Sequence, residues 1–231
     1  MISDVISHQL ALQEPTASFA MPVRRGQLDR SIAKRQIDIA IALFALFALA
    51  PLMLIVAAIS LAMTGSNPFY AHRRVGKNGQ PFNCFKFRTM VPNSDEVLAA
   101  YLRNHPAAAA EWAATQKLRH DPRVTRMGRF LRQSSIDELP QLLNVLAGHM
   151  SCVGPRPITF RELERYGAGA GHYFEVKPGL TGLWQISGRS DLPYRERVLL
   201  DLRYIHDWSI TLDLVILCRT VVALLRPTGA A

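Results

Sequence analysis

Apolar and polar positions along the chain fall into stretches of different period, and each period predicts an element. The longest is an uncharged run from Ile39 to Met63, roughly 25 residues and long enough to cross a bilayer as a helix. Basic residues stand on both flanks: Arg24, Arg25, Arg30, Lys34 and Arg35 before it, His72, Arg73, Arg74 and Lys77 after it. A spanning helix concentrates Lys and Arg on one side of the membrane. Pro51, near the middle of the run, removes a helical hydrogen bond and tends to kink or break the helix. Two readings stay open: a single span, or a re-entrant hairpin whose arms of about 12 residues each reach about 18 Å. Both put the protein on a membrane.

From Phe69 to Met90 the period shortens to that of strands. Gly76-Lys77-Asn78-Gly79 is a turn signal, and Asn-Gly favours a hairpin. Beyond the turn, Lys86 and Arg88 are expected on one strand face, with Phe85 and Phe87 on the other. The two cations either keep an edge strand soluble or aim together at a phosphate. Ser94-Asp95-Glu96 predicts a helix start. Pro106 opens a second, alanine-rich helix, and the pair reads as scaffold or lid. Arg123, Arg126, Arg129 and Arg132 recur every three residues as a slowly winding basic stripe. Leu139, Leu142, Leu143 and Leu146 give the next helix its buried face. The last apolar segment, Trp208 to Leu225, is interrupted by Asp213 and Arg219. That suits a helix lying in the membrane interface with Trp208 as its anchor.

The elements add up to an α+β protein, mostly helical, with a short β-hairpin and interfacial amphipathic helices. Composition sharpens this in one respect. Lys+Arg 27 against Asp+Glu 18 gives a net charge of +9 on a chain that is 49% apolar, which fits an anionic membrane surface or phosphorylated ligands as well as nucleic acid. With the apolar run counted, the partner is read as lipid, not nucleic acid. Residues 1–23 carry no Lys or Arg; they lack the basic start of a secretory signal and read as a mobile tail. Cys84, Cys152 and Cys218 form no CxxC pair and the histidines show no ligand spacing, so no zinc site is expected.

Candidate chemistry concentrates between Leu131 and Pro157. Asp137 and Glu138 follow the basic stripe, with Arg132 the nearest of its cations. Ser135-x-x-Glu138 could be a capping box, with both acids serving the helix dipole. Pro140 argues otherwise, because a proline at the first helical position leaves both acids outside the helix. Adjacent side chains diverge, so two different roles are expected rather than a shared proton. Pro155 and Pro157 fix the backbone around Arg156, and a held guanidinium suits a phosphate. The glycine-rich stretch Lys177 to Arg189 is neither a dinucleotide fingerprint nor a P-loop; it is either an approach to a ligand or an ordinary turn cluster.

Four stretches together carry a resemblance: KFRTM (Lys86 to Met90), DPRVT (Asp121 to Thr125), SIDELPQLLNVLAGHMSCVGPRP (Ser135 to Pro157) and KPGLTGLWQISGR (Lys177 to Arg189). The chain resembles the bacterial sugar transferase family, the small monotopic phosphoglycosyl transferases, over about Arg30 to Leu225, and within it the exopolysaccharide-initiating galactosyl- and glucosyl-phosphate transferases. The resemblance implies transfer of a hexose-1-phosphate from a UDP-sugar to undecaprenyl phosphate with release of UMP. It implies a re-entrant helix broken at Pro51, a catalytic part over residues 67–231, and a place on the cytoplasmic face of the bacterial inner membrane. Asp137 matches the nucleophile and Glu138 its partner, both able to hold Mg2+. Arg132, Arg156, Lys86 and Arg88 become candidate phosphate holders, and Gln185 and Arg189 candidate contacts for nucleotide or sugar. Two rivals stay open: a glycosyltransferase that releases UDP, and a non-catalytic scaffold of a polysaccharide assembly complex. A homo-oligomer is left open.

Overall fold

The structure, a computed structural model, describes residues 31–115, 118–188 and 192–225. Helix α1 runs from Ile32 to Thr64. The Ser31 hydroxyl accepts from the Lys34 N–H at its start, and left-handed Gly65 closes its end. A hairpin follows, β1 (Phe69–Val75) antiparallel to β2 (Pro81–Phe87), with Tyr70 opposite Lys86. Then come α2 (Ser94–Asn104), α3 (Pro106–Thr115), α4 (Arg126–Gln133), a 3-10 turn at Ile136–Glu138 and α5 (Gln141–Leu146). Strand β3 (Ser151–Val153) pairs in parallel with β4 (Gly179–Thr181) across the short helices α6 (Phe160–Leu163) and α7 (Ala170–Phe174). Helices α8 (Leu183–Ser187), α9 (Tyr194–Asp207) and α10 (Ile210–Leu225) complete the described residues. Mostly helical with one antiparallel hairpin is what the polarity pattern predicts.

The proline in α1 needs a correction. The backbone stays helical through Pro51; one missing N–H weakens the ladder without ending the helix. The two arms nevertheless behave alike. Before Pro51, Ala42 is fully buried, and Ile41, Ala45 and Leu46 pack on the main core of Phe82, Leu142, Val145 and Tyr204. After it, Met53, Val56 and Ala57 pack against Phe87 and Leu131. The remaining face leaves Phe44, Phe47, Leu54 and Ile55 exposed, an apolar surface suited to lipid. A helix threading a hydrocarbon layer about 30 Å thick would lose one of these contact sets.

Polar groups fix α1 where it enters the domain. Lys34 Nζ lies 2.7 Å from Asp213 Oδ2 and donates to the Val153 carbonyl at 3.1 Å, with both charged side chains buried. The Tyr204 hydroxyl sits 2.7 Å from Asp213 Oδ1 and 3.0 Å from the same Val153 carbonyl. Asp38, one turn further, accepts from the Ser151 hydroxyl and the Cys152 N–H. Asp213 is therefore no blemish in an interfacial helix but the counter-ion for Lys34. Trp208 also differs from expectation. Its indole packs on the core and donates to Asp213, contacts that lie inside the fold; Leu214, Val215, Val221 and Val222 form the exposed face of α10.

Helix α5 buries Gln141, Leu142, Asn144 and Val145 and exposes Leu143. Asn144 earns its buried place by bonding the edge of β2, accepting from the Phe85 N–H and donating to the Asn83 carbonyl. Side-chain amides that replace a strand neighbour in this way carry no hydrophobic signal, which is why a leucine count misplaces the face.

Removing one member of the Lys34–Asp213 pair should strand the other in the interior. Lys34→Met is expected to destabilise the detergent-solubilised protein by about 3–5 kcal/mol, whereas Lys34→Met with Asp213→Leu recovers most of the loss; thermal unfolding of the three proteins measures both.

Candidate active site

The end of β2 and the start of α4 are welded together. Thr125 N–H donates to the Thr89 carbonyl at 3.1 Å, and Met90 pairs with Val124. Gly128 lies so close to the Thr89 backbone that a Cβ would collide with its carbonyl. Arg132, in the last turn of α4, donates through Nε to the Thr89 hydroxyl at 3.0 Å. Ser135 then adopts a left-handed conformation, φ 58°, unusual for a residue with a Cβ. The chain turns sharply there, and Asp137 and Glu138 emerge on a 3-10 turn ahead of α5, whose N-cap is Pro140. The capping-box arrangement is absent: Ser135 makes no side-chain cap bond. Both acids stand outside the helix, as Pro140 argued.

Lys86 projects from β2 between the two carboxylates. Its ammonium is 2.6 Å from Glu138 Oε1 and 3.7 Å from Asp137 Oδ2. The acids differ in environment. Asp137 is 7% exposed; its burial, reinforced by the Glu138 charge, pushes its carboxyl up to about 6 against the pull of Lys86 and Arg132. For Glu138 burial acts in the same sense but is outweighed by Lys86, with Arg156 and Arg74 adding, so its carboxyl lies below the usual glutamate range. Burial opposes the charge on Lys86, yet Glu138 and Asp137 overcome it and raise its pKa. The outcome is one firmly ionised acid clamped by a lysine, beside a second whose charge is poorly compensated.

Arg156 approaches from another direction, on a backbone locked at both ends. Its N–H faces Asp201 Oδ2 at 3.4 Å, and its carbonyl lies 3.2 Å from the Tyr173 hydroxyl. The preceding strand is held by glycines: a Cβ on Gly179 would strike the backbone of Gly154, and the Gly154 N–H donates to the Thr181 carbonyl. Gly154, Gly179 and Gly182 thus serve close backbone packing.

Of the residues expected at the site, Asp137, Glu138, Lys86 and Arg132 come together, and Arg156 contributes to their field. Arg88 does not join them. Strand β2 ends at Phe87, and the Arg88 guanidinium turns to the Asn67 carbonyl and the Tyr70 ring. The alternation also fails there, since Phe85 is exposed while Phe87 is buried by α1 and α4. Arg123 leaves the basic stripe to pair with Asp121 and stack on Trp112. Gln185 packs against Gly182, its Oε1 buried and without a hydrogen-bond partner among the described residues. Arg189 lies outside the described residues. Sequence reasoning missed Thr89 and Arg74; a threonine at the end of a cationic strand and one arginine among several give no distinguishing pattern.

A family model described as bacterial sugar transferase matches residues 29–227. The chain belongs to the bacterial sugar transferase family. Among its relatives is an exopolysaccharide production protein, ExoY, of Sinorhizobium fredii, 48% identical over 95% of this chain and 98% of the relative. The undecaprenyl-phosphate galactose phosphotransferase of Salmonella typhimurium is 44% identical over 99% of this chain, which covers 47% of that longer protein. The UDP-glucose:undecaprenyl-phosphate glucose-1-phosphate transferase of Xanthomonas campestris is 36% identical over 97% of this chain and 47% of its own length.

Whether the acids suit a divalent metal follows from the donor set. No group of three or more metal-ligating side chains occurs among the described residues, and Lys86 already bridges Asp137 and Glu138. With Lys86 between them, Asp137 and Glu138 would hold a magnesium ion only together with ligands from outside the protein.

Since Asp137 is harder to ionise in the folded chain than in the unfolded one, its charging opposes folding. The stability it contributes is full below about pH 4 and is lost as the pH rises to about 6. Asp137→Asn is therefore expected to stabilise the metal-free protein near pH 8, by up to about 3 kcal/mol, with the gain vanishing near pH 4; thermal melts in chelator across that range test this.

Proposed function

We propose that this protein transfers a hexose-1-phosphate, galactose or glucose, from a UDP-sugar to undecaprenyl phosphate, releasing UMP through a phosphosugar-aspartate intermediate. The observation that carries the reading is the asymmetry of the acid pair: Lys86 clamps Glu138 at 2.6 Å and leaves Asp137 at 3.7 Å. The names of the relatives support the substrates, and the name of ExoY supports a role in exopolysaccharide production.

In the first displacement an Asp137 carboxylate oxygen attacks the phosphorus that bears the sugar. The bond from that phosphorus to the oxygen it shares with the UMP phosphate breaks, and UMP leaves with the electron pair. In the second, an oxygen of undecaprenyl phosphate attacks the same phosphorus and Asp137 departs as carboxylate. One anhydride is exchanged for another, and a covalent stage divides a difficult exchange into two easier ones. Burial serves Asp137 here, because a carboxylate raised to about 6 is more basic than an exposed one and still ionised at neutral pH. Lys86, Arg132 and Arg156 neutralise and orient the phosphate oxygens, which is most of what a protein can contribute to phosphoryl transfer. Asp137 and Glu138 would hold magnesium, which would supply further charge neutralisation. Glu138, fixed by Lys86, remains available to that ion or to a proton of the acceptor phosphate.

Location follows from the acceptor, whose isoprenoid tail keeps its phosphate at the membrane surface. The exposed apolar faces of α1 and α10 suit a monotopic seat. Contact of both arms of α1 with one domain supports re-entry rather than crossing. A cytoplasmic-face site on the inner membrane would meet nucleotide sugars where they are made.

With UDP-galactose or UDP-glucose and no acceptor, intact-protein mass spectrometry should register the mass of one hexose phosphate on the wild type and none on Asp137→Asn. Product analysis with acceptor should find UMP; UDP instead would establish simple glycosyl transfer and sink the proposal.

A further inference from the structure

The strand face that carries Lys86 continues across β1. In the antiparallel register Tyr70 lies opposite Lys86 and His72 opposite Cys84. His72 is thus the diagonal neighbour of Lys86, about 7–8 Å away along the sheet, and Lys86 reaches both members of the acid pair. The imidazole is half-buried, with the Tyr70 ring edge-on to it at 6.0 Å between centroids. Nothing described so far uses this histidine.

Its neighbours decide what the ring can do. Arg74 Nη2 lies 3.3 Å from His72 Nδ1, and because a guanidinium has donors only, Nδ1 must accept. Arg74 is itself fixed: its Nη1 lies 3.0 Å from Glu162 Oε2, an oxygen that also accepts from the Thr159 N–H and hydroxyl. Burial, with the charges of Arg74, Lys86 and Arg156, holds the imidazole below its ordinary pKa against the opposing pull of Glu162. A neutral ring that accepts at Nδ1 carries its proton on Nε2. His72 is therefore a fixed hydrogen-bond donor, neither a cation nor a base.

The field around that donor selects its ligand. The same Arg74, Lys86 and Arg156 act on Glu138, so one set of cations covers both the acid pair and His72. A neutral N–H in such a field suits an anionic oxygen better than a hydroxyl or a uracil carbonyl. The proposed reaction brings a diphosphate. With its sugar-bearing phosphorus at Asp137 beside Lys86, the second phosphate would extend along the strand face to His72.

We propose that His72 Nε2–H donates a hydrogen bond to an oxygen of the phosphate that leaves with the uridine. The inference rests on the UDP-sugar reading above and deepens it, placing the leaving group on the β1 side of the acid pair.

The test titrates UMP into the full chain in detergent and measures KM for UDP-galactose or UDP-glucose and for undecaprenyl phosphate. His72→Ala is expected to weaken UMP binding about 10- to 100-fold, the loss typical of a hydrogen bond to a charged group. KM for the UDP-hexose should rise in step, while KM for undecaprenyl phosphate is kept. His72→Gln, whose amide can set an N–H near the place of Nε2, should recover most of the UMP affinity. Unchanged UMP affinity in His72→Ala overturns the proposal, as does an equal rise in KM for both substrates, the behaviour of a merely structural residue. A His72→Gln protein as weak as His72→Ala also overturns it. If His72→Ala does not accumulate, His72→Asn, whose amide reaches only as far as Nδ1, takes its place; UMP affinity equal to that of His72→Gln then counts against the proposal. Failure of the wild type to release UMP from any UDP-hexose removes the underlying reading together with this one, whereas UMP release with an affinity for UMP that does not depend on His72 removes this one alone.

Discussion

A buried ion pair at the root of the apolar helix holds the rest of the molecule in order. Lys34 and Asp213 lie 2.7 Å apart, and the Val153 carbonyl joins them through the same ammonium. Three elements meet at that point: α1, the final helix, and the strand that runs on to Arg156. Such a pair has little net stabilising value, because desolvation offsets the Coulombic attraction. It does restrict alternatives, since any other docking of α1 would leave a charge in the core. The angle at which the apolar helix leaves the domain is thereby tied to the strand that leads to Arg156.

The two neighbouring carboxylates acquire different characters from their surroundings. The 3-10 turn sends Glu138 toward Lys86 and keeps Asp137 buried. Left-handed Ser135 and the N-cap Pro140 bracket that turn, so the divergence is built into the backbone. Rigid placement of this kind suits chemistry that depends on position and charge more than on mobile acids and bases.

Much of this was legible in the sequence, for identifiable reasons. The α1 run, the Asn78-Gly79 turn and the Pro106 helix start rest on local rules, and Pro140 was enough to move the acids out of the helix. Four of the six residues expected to handle the reaction meet in space. What misled was long-range. Arg88 follows the strand's last residue and turns away. Trp208 and Asp213 look like features of a surface helix until Lys34, far off in sequence, is brought against them. Asn144 replaces a strand neighbour for β2, and no periodicity announces that. Asp201 sits within an amphipathic helix as an ordinary polar position, and only folding puts it beside Arg156.

The position of Lys86 bears on how the site behaves through a complete turnover. The ammonium faces two anions at rest. If Asp137 takes up a sugar phosphate, its carboxylate charge disappears, but the phosphodiester-like adduct brings one negative charge to nearly the same place. Glu138 is untouched by the change. The electrostatic load on the lysine is then almost constant from free enzyme to covalent stage and back. On the proposed two-displacement course, little repolarisation of the pocket would accompany either step, and the side chains around the acids would have little cause to rearrange between them.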